Sequence, residues 1–364
     1  MTRSIVWSFV ASAVATACAS STPTPQDGAV QDAPTATGDG GTGDASTGGP
    51  DAQPATGPLN VVYGSFVINI HDWVYVDESV ITVNRLIDLH EKYKLPVDMY
   101  MTDPMLQVYL TKAPTLIARM KASPYVAISH HLRPPSPYYS GFDWLGLNKL
   151  SSSDLKAKLL SYEEHAIDLS TGDPTTAPGG YEYMKQVFGY PPYVVTSASD
   201  NSAPQVALAA IYKAKGAKFA LTHSDKGSEW GDKNNDLLMR PETVELKVYE
   251  AKGEIDFKAT LIDPAMATIG SKRPAFINMK WHDDNFNSSG TPWINVYYAD
   301  GNNKSVMNPR PWDTKAIGTV QLKTADQKAT QWKRYETALQ YFTDHPETFA
   351  VAGARQHAKW AGLE

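Results

Sequence analysis

Cysteine is almost absent: Cys18 is the single one in 364 residues, so no disulfide can form within the chain. The apolar run at the amino terminus, Ile5 to Val14, falls short of the about 20 residues that a membrane-spanning helix needs. No block of Lys and Arg occurs and the net charge is -6, which argues against a nucleic-acid partner. No glycine-rich phosphate loop follows the first strand-like run, which disfavours a nucleotide. An internal repeat is also lacking.

What stands at the amino terminus has the layout of a secretory signal over residues 1–17: Arg3, a short apolar core, then Ala15, Thr16 and Ala17 before Cys18. A lone cysteine after small residues looks like a bacterial lipobox, with Ala15 where leucine is usual, and this makes Cys18 the expected lipidation site. The other reading is ordinary cleavage after Ala17. The lipobox reading is preferred because it also explains residues 18–58, a stretch of Ser, Thr, Pro, Gly, Asp and Ala. Such a segment buries too little apolar surface to offset the entropy of ordering it, and serves as a flexible tether. The expected address is therefore the cell envelope, with the outer membrane preferred and secretion the alternative. The working domain spans 59–364, long enough for one large core.

Within that domain strands and helices alternate. Residues 61–70 read as a buried strand interrupted by Gly64 and ending at His71 and Asp72. A helix capped by Asp77 or Ser79 places Val80, Val83, Leu86, Ile87 and His90 on one face, and Pro96 ends it. Strands are predicted at 97–102, 125–129, 193–196, 219–223 and 275–281. Helices open at Ser152, run from Ala203 to Lys215 up to Gly216, and close the chain with Trp332, Tyr335, Leu339 and Phe342 on one face. Residues 244–263 read as an inserted β-hairpin around Lys252 and Gly253. Alternation of this kind implies a parallel sheet with crossovers, and an α/β barrel, possibly incomplete, fits best.

Four strands end in ionisable clusters: His71 and Asp72; His130 and His131; His223 and Asp225; His282, Asp283 and Asp284. The carboxyl ends of barrel strands share the face on which active sites are built. Taken singly each cluster has an ordinary explanation: a satisfied strand-end pair, surface imidazoles, a turn at His223 and Asp225, or capping aspartates. Their shared position is what singles them out. Histidines and carboxylates meeting on an open face suit a divalent metal, zinc above all, with hydrolysis as the outcome.

The arrangement resembles the polysaccharide deacetylase family, with its NodB homology domain, over residues 60–285. The resemblance rests on the first strand with His71 and Asp72, the run Arg85 to Met101, the histidine-bearing third strand and the strand before His282. It implies a distorted or incomplete β/α barrel of that type and a metal-dependent enzyme deacetylating an extracellular or envelope glycan. It implies roles as well: Asp72 as metal ligand, His71 standing where the family has its catalytic aspartate base, and His282 as general acid. The metal-binding histidines would be His130 and His131, adjacent here where the family spaces them four apart. Neighbours on a strand point to opposite faces, so only one of them faces a metal unless the backbone bends. Trp73 and Val74 replace the glycine and proline that usually follow the first motif. The family's base-orienting arginine has no clear counterpart, with Arg133 the candidate substitute, and the expected substrate contacts are Trp73, Arg133, Tyr138, Trp144 and Trp281. Two alternatives stay open: a non-catalytic glycan-binding lipoprotein, and a hydrolase cleaving a glycosidic or ester bond.

Overall fold

The structure, a computed structural model, describes residues 57–139, 142–196, 202–221, 227–301 and 306–364. The readings of the signal, Cys18 and most of the tether fall outside these residues, as do His223 and Asp225.

The chain runs through β1 (Val62–Ile70), α1 (Val76–Tyr93), β2 (Val97–Met101), α2 (Asp103–Lys112), α3 (Pro114–Ala122), β3 (Val126–His130) and α4 (Ser152–Tyr162). A small antiparallel pair, β4 (His165–Ile167) and β5 (Pro174–Pro178), precedes α5 (Gly180–Phe188), β6 (Val194–Thr196), α6 (Ala203–Lys215) and β7 (Phe219–Leu221). There follow β8 (Lys233–Asn234), β9 (Leu237–Met239), β10 (Val244–Leu246), α7 (Asp263–Ile269) and β11 (Ala275–His282). The chain ends with α8 (Asp284–Asn287), α9 (Pro292–Tyr297), α10 (Ala325–Asp344), β12 (Phe349–Val351) and α11 (Ala354–Trp360).

The main sheet has the order β10-β11-β1-β2-β3-β6-β7-β9-β8, with β12 also pairing with β1, and every pairing except β8 with β9 is parallel. Its two sides are joined through one segment. Leu238 and Met239 pair with β7, and five residues later Val244 to Leu246 pair with β11. Between them Arg240 donates its N–H to Ala220 and Thr243 donates to Phe276. This is the distorted α/β barrel expected from the alternation, closed by a shared segment in place of a full ladder. The expected hairpin at 244–263 is corrected: its first limb is a parallel sheet strand, and residues from Lys258 onward are helical. Periodicity over so short an apolar run does not separate a strand from a helix.

Side-chain alternation along the strands builds two cores. Phe66, Ile68 and Ile70 of β1, Met99 and Met101 of β2, and Ile277, Met279 and Trp281 of β11 pack outward with Leu86, Ile87, Tyr335 and Leu339 of the helices. Gly64 belongs to this face, where a Cβ would lie 2.5 Å from the Phe342 ring. The opposite set, Val67, Tyr100, Ala127, Val194 and Phe219, turns inward and packs against Ala354 and Ala358 of α11. That helix fills one end of the barrel, and Asp98 of β2 accepts the Ala354 N–H at its start.

Candidate active site

At the other end, the loops after β1, β3 and β11 carry the histidines. Asp283, immediately after β11, accepts the backbone N–H groups of His71 and Asp72 at 3.2 Å each and the Ser79 hydroxyl at 2.6 Å. One carboxylate thus ties the end of β11 to the end of β1 and the first turn of α1. Asp72 in turn accepts from the Val74 and Tyr75 N–H groups through Oδ1, holding the entry into α1. Its Oδ2 is buried and accepts no hydrogen bond.

On this frame His71, His282 and Asp284 each offer a ligand atom within 4.8 Å of the others, and among the described residues this is the group of three or more such side chains close enough to share a metal ion. The ring centroids of His71 and His282 are 5.1 Å apart and nearly perpendicular, and His131 approaches His71 at 6.1 Å. The Trp293 indole N–H donates to His71 Nδ1 at 2.6 Å. Asn285 Oδ1 accepts the His282 backbone N–H at 2.8 Å and lies 3.2 Å from His282 Nδ1. Tyr249 meets His282 edge-on at 5.4 Å, and the Arg133 guanidinium lies 4.5 Å above the Tyr139 ring.

The electrostatics of the pocket are those of too many carboxylates in too little water. Burial pushes Asp284 up to about 7, with the Asp283 charge adding to the effect; Thr291, Lys323 and Arg133 pull it back in part. Burial also raises Asp283 to about 6, and Asp72 well above the usual carboxylate range, where the Asp283 and Asp284 charges reinforce it. Neither Asp284 oxygen accepts a hydrogen bond of normal geometry. A divalent cation fits this chemistry: the Asp284 oxygens and His282 Nε2 are suitable donors, and positive charge relieves the carboxylates. His71 fits less well, because accepting from Trp293 on Nδ1 leaves the proton of the neutral ring on Nε2, its other ligand atom.

The remaining predicted residues divide. His131 is at the site, its Nδ1 2.6 Å from the Thr196 hydroxyl. His130 is not. It lies on the helix side of β3 against Tyr181 and Tyr212, with Nε2 3.8 Å from Glu163, so the expected metal set of Asp72, His130 and His131 does not assemble. The cause is the strand alternation noted from the sequence, which the backbone leaves intact. Trp281 is likewise corrected from a sugar contact to a core residue: it is 0% exposed and packs edge-on against Tyr335 at 4.8 Å. Tyr138 is buried with Leu132 and Leu147, its hydroxyl 2.5 Å from Ser202. Trp144 is partly exposed, but the Arg310 guanidinium lies over its ring at 4.0 Å. Trp73 is half-buried beside Tyr297.

Sequence reasoning noticed the pair Asp283 and Asp284 without assigning either a role; the signal was their place directly after a strand-end histidine. Trp293 gave no signal, since nothing in the local pattern links it to a residue 222 positions away.

No family model and no curated protein matches the sequence. Among solved structures, the chain is similar to a probable polysaccharide deacetylase from Pseudomonas aeruginosa PAO1, with 11% identity, 84% of this chain and 92% of that one covered, and a TM-score of 0.45. It is similar to Puue allantoinase at 11% identity, 83% and 90% coverage and a TM-score of 0.45. A 4-alpha-glucanotransferase from Thermococcus litoralis matches at 10% identity and a TM-score of 0.44, with 83% of this chain covered; the chain spans only 40% of that protein's length. These three names differ in activity and the similarities are distant, so function rests on the site itself.

Proposed function

We propose that the chain is a metal-dependent hydrolase that removes an acyl group, acetyl in the simplest case, from an amino sugar of an extracellular or envelope glycan. The observation that carries this reading is the cluster of His71, His282 and Asp284 at the strand ends of an α/β barrel, with Asp72 and Asp283 beside it, all three carboxylates being buried and of raised proton affinity. His282 and Asp284 would hold the cation, for which zinc is the choice that suits mixed imidazole and carboxylate donors. Bound there, such a cation supplies Lewis acidity toward a carbonyl and lowers the pKa of a water. Asp72 offers a buried carboxylate oxygen of raised proton affinity, able to take the proton of the attacking water and to return it to the amine nitrogen as the acyl bond breaks. Asp283 holds the strand ends in register, and Arg133, over Tyr139 and near Asp284, would orient an anionic or carbonyl oxygen.

The direct test is elemental analysis of the purified mature protein together with acetate release from N-acetylated glycan. Wild type should carry about one divalent ion per chain and release acetate. Asp284→Asn, isosteric but without the charge, should lose metal and at least tenfold in activity, in line with the loss of a ligand or its close partner. Metal-free wild type, or acetate release unchanged in Asp284→Asn, refutes the reading. Glycan binding without turnover would favour the non-catalytic alternative.

The site's address is part of the same proposal. A domain joined to lipidated Cys18 by residues 18–58 would sweep the nearby envelope, where polymeric glycan is the accessible substrate. Cys18→Ser should move the protein from the membrane fraction to the soluble exported fraction with its turnover unchanged. Identical fractionation of the two forms would rule out the anchor.

A further inference from the structure

An indole N–H is a donor only. The nitrogen that receives it, His71 Nδ1 at 2.6 Å, must therefore carry a lone pair, and in the neutral ring the proton sits on Nε2. A second proton on Nδ1 would set one N–H against another across a buried contact, since Trp293 is itself buried. Trp293 thus fixes the tautomer of the neutral His71 ring.

The neighbouring histidine is fixed the other way. Asn285 Oδ1 accepts the His282 backbone N–H at 2.8 Å, which identifies that atom of the amide as the oxygen. The same oxygen lies 3.2 Å from His282 Nδ1, so Nδ1 must carry its proton to make a bond there, and Nε2 keeps the lone pair. Two perpendicular imidazoles 5.1 Å apart are given opposite polarity by two different partners.

We propose that Trp293 is a positioning residue that commits His71 to the Nε2–H form, so that His71 acts as a hydrogen-bond donor to the substrate's carbonyl oxygen and not as a base or a metal ligand. No proton leaves His71: it stabilises negative charge that gathers on that oxygen as water adds, and returns to its starting state when the acyl bond breaks. His282 Nε2, with Asp284, would hold the cation. The assignment replaces the roles that the family resemblance implied for the two histidines, base for His71 and general acid for His282, and it gives α9, outside the barrel proper, a part in the chemistry. It rests on the hydrolytic reading for its functional half only.

The test is a long-range 1H–15N correlation spectrum of the full mature protein labelled at histidine, with His71 assigned by its loss in His71→Gln. The expected wild-type signature at neutral pH is the Nε2–H tautomer, in metal-free and metal-loaded protein alike. Trp293→Phe, which keeps an aromatic ring and removes the donor, should convert that signal to a mixture of tautomers. It should also lower kcat about tenfold or more while metal content stays at the wild-type level. A wild-type His71 protonated on Nδ1, or an unchanged tautomer in Trp293→Phe, overturns the proposal. A variant that fails to fold leaves the wild-type spectrum decisive. If wild type shows the Nε2–H form but hydrolyses nothing, the tautomer assignment stands and the hydrolytic reading falls.

Discussion

At the scale of single residues, the pair His130 and Glu163 shows how burial moves ionisable groups toward their neutral forms. Burial holds His130 down to about 3 and pushes Glu163 up to about 7, so at neutral pH their 3.8 Å approach joins a neutral imidazole to a carboxyl only partly ionised. Tyr212 donates to Glu163 at 2.7 Å and the Tyr181 N–H at 3.2 Å, which limits the rise without cancelling it. Glu163 is raised in the folded state, so its contribution is full below its ordinary value, near 4.5, and is lost as pH climbs through about 7. Glu163→Gln keeps an acceptor for Tyr212 and removes the titration. Its melting temperature should therefore fall less than the wild type's between pH 6 and pH 8.5, by an amount equivalent to about 1.4 kcal/mol, since about one pK unit of the rise lies above pH 6. Parallel pH profiles for the two proteins would show that Glu163 is not the group responsible. His130 acts in the opposite window, losing stability as pH drops below its ordinary value toward 3. The choice between His130 and His131 was legible in the sequence as a constraint, that one faces in and one out, but not as an answer. Which face holds the helices depends on long-range packing.

At the scale of elements, strand ends were the most legible feature. The sequence placed His71, His130 or His131, and His282 at strand termini because β-branched and aromatic runs stop where the ionisable residues begin. Boundaries that depend on side-chain direction were less visible. Asp77 and Ser79 were expected to cap α1, but the helix begins at Val76 after Tyr75, which makes no capping bond. Asp72, three residues upstream of Tyr75, receives that residue's N–H, and Ser79 turns inward to Asp283 and to the Tyr109 hydroxyl, 2.6 Å from each. Local propensity could not show this, because Asp283 reaches the turn from 204 residues away. The same limit applies to β10. Its three residues resemble the limb of a hairpin until β11 is known to lie beside them in parallel register.

At the scale of the whole molecule, the barrel is joined where Arg240 crosses from the β9 side to the β10 side. Its guanidinium is fully buried and donates to Asp98 Oδ2 from Nη2 at 3.1 Å and from Nε at 3.3 Å. Asp98 also accepts the Ala354 N–H at 2.8 Å through Oδ1. One buried carboxylate therefore connects β2, the closing segment and the start of the helix that fills the barrel. Taking away one member of a buried pair leaves an uncompensated charge and costs about 3–5 kcal/mol. Arg240→Met should lower stability to denaturant by that order. The loss should be greater at pH 8 than at pH 5: burial already raises Asp98 and Arg240 is the strongest influence holding it down, so without the arginine the carboxyl remains protonated through acid pH and is destabilising once ionised. Asp98→Asn combined with Arg240→Met removes both charges and should recover part of the stability, since an amide can still accept from Ala354. A double variant no more stable than Arg240→Met would mean that the arginine contributes through its packing against the inner core, and that closure of the barrel does not depend on the ion pair.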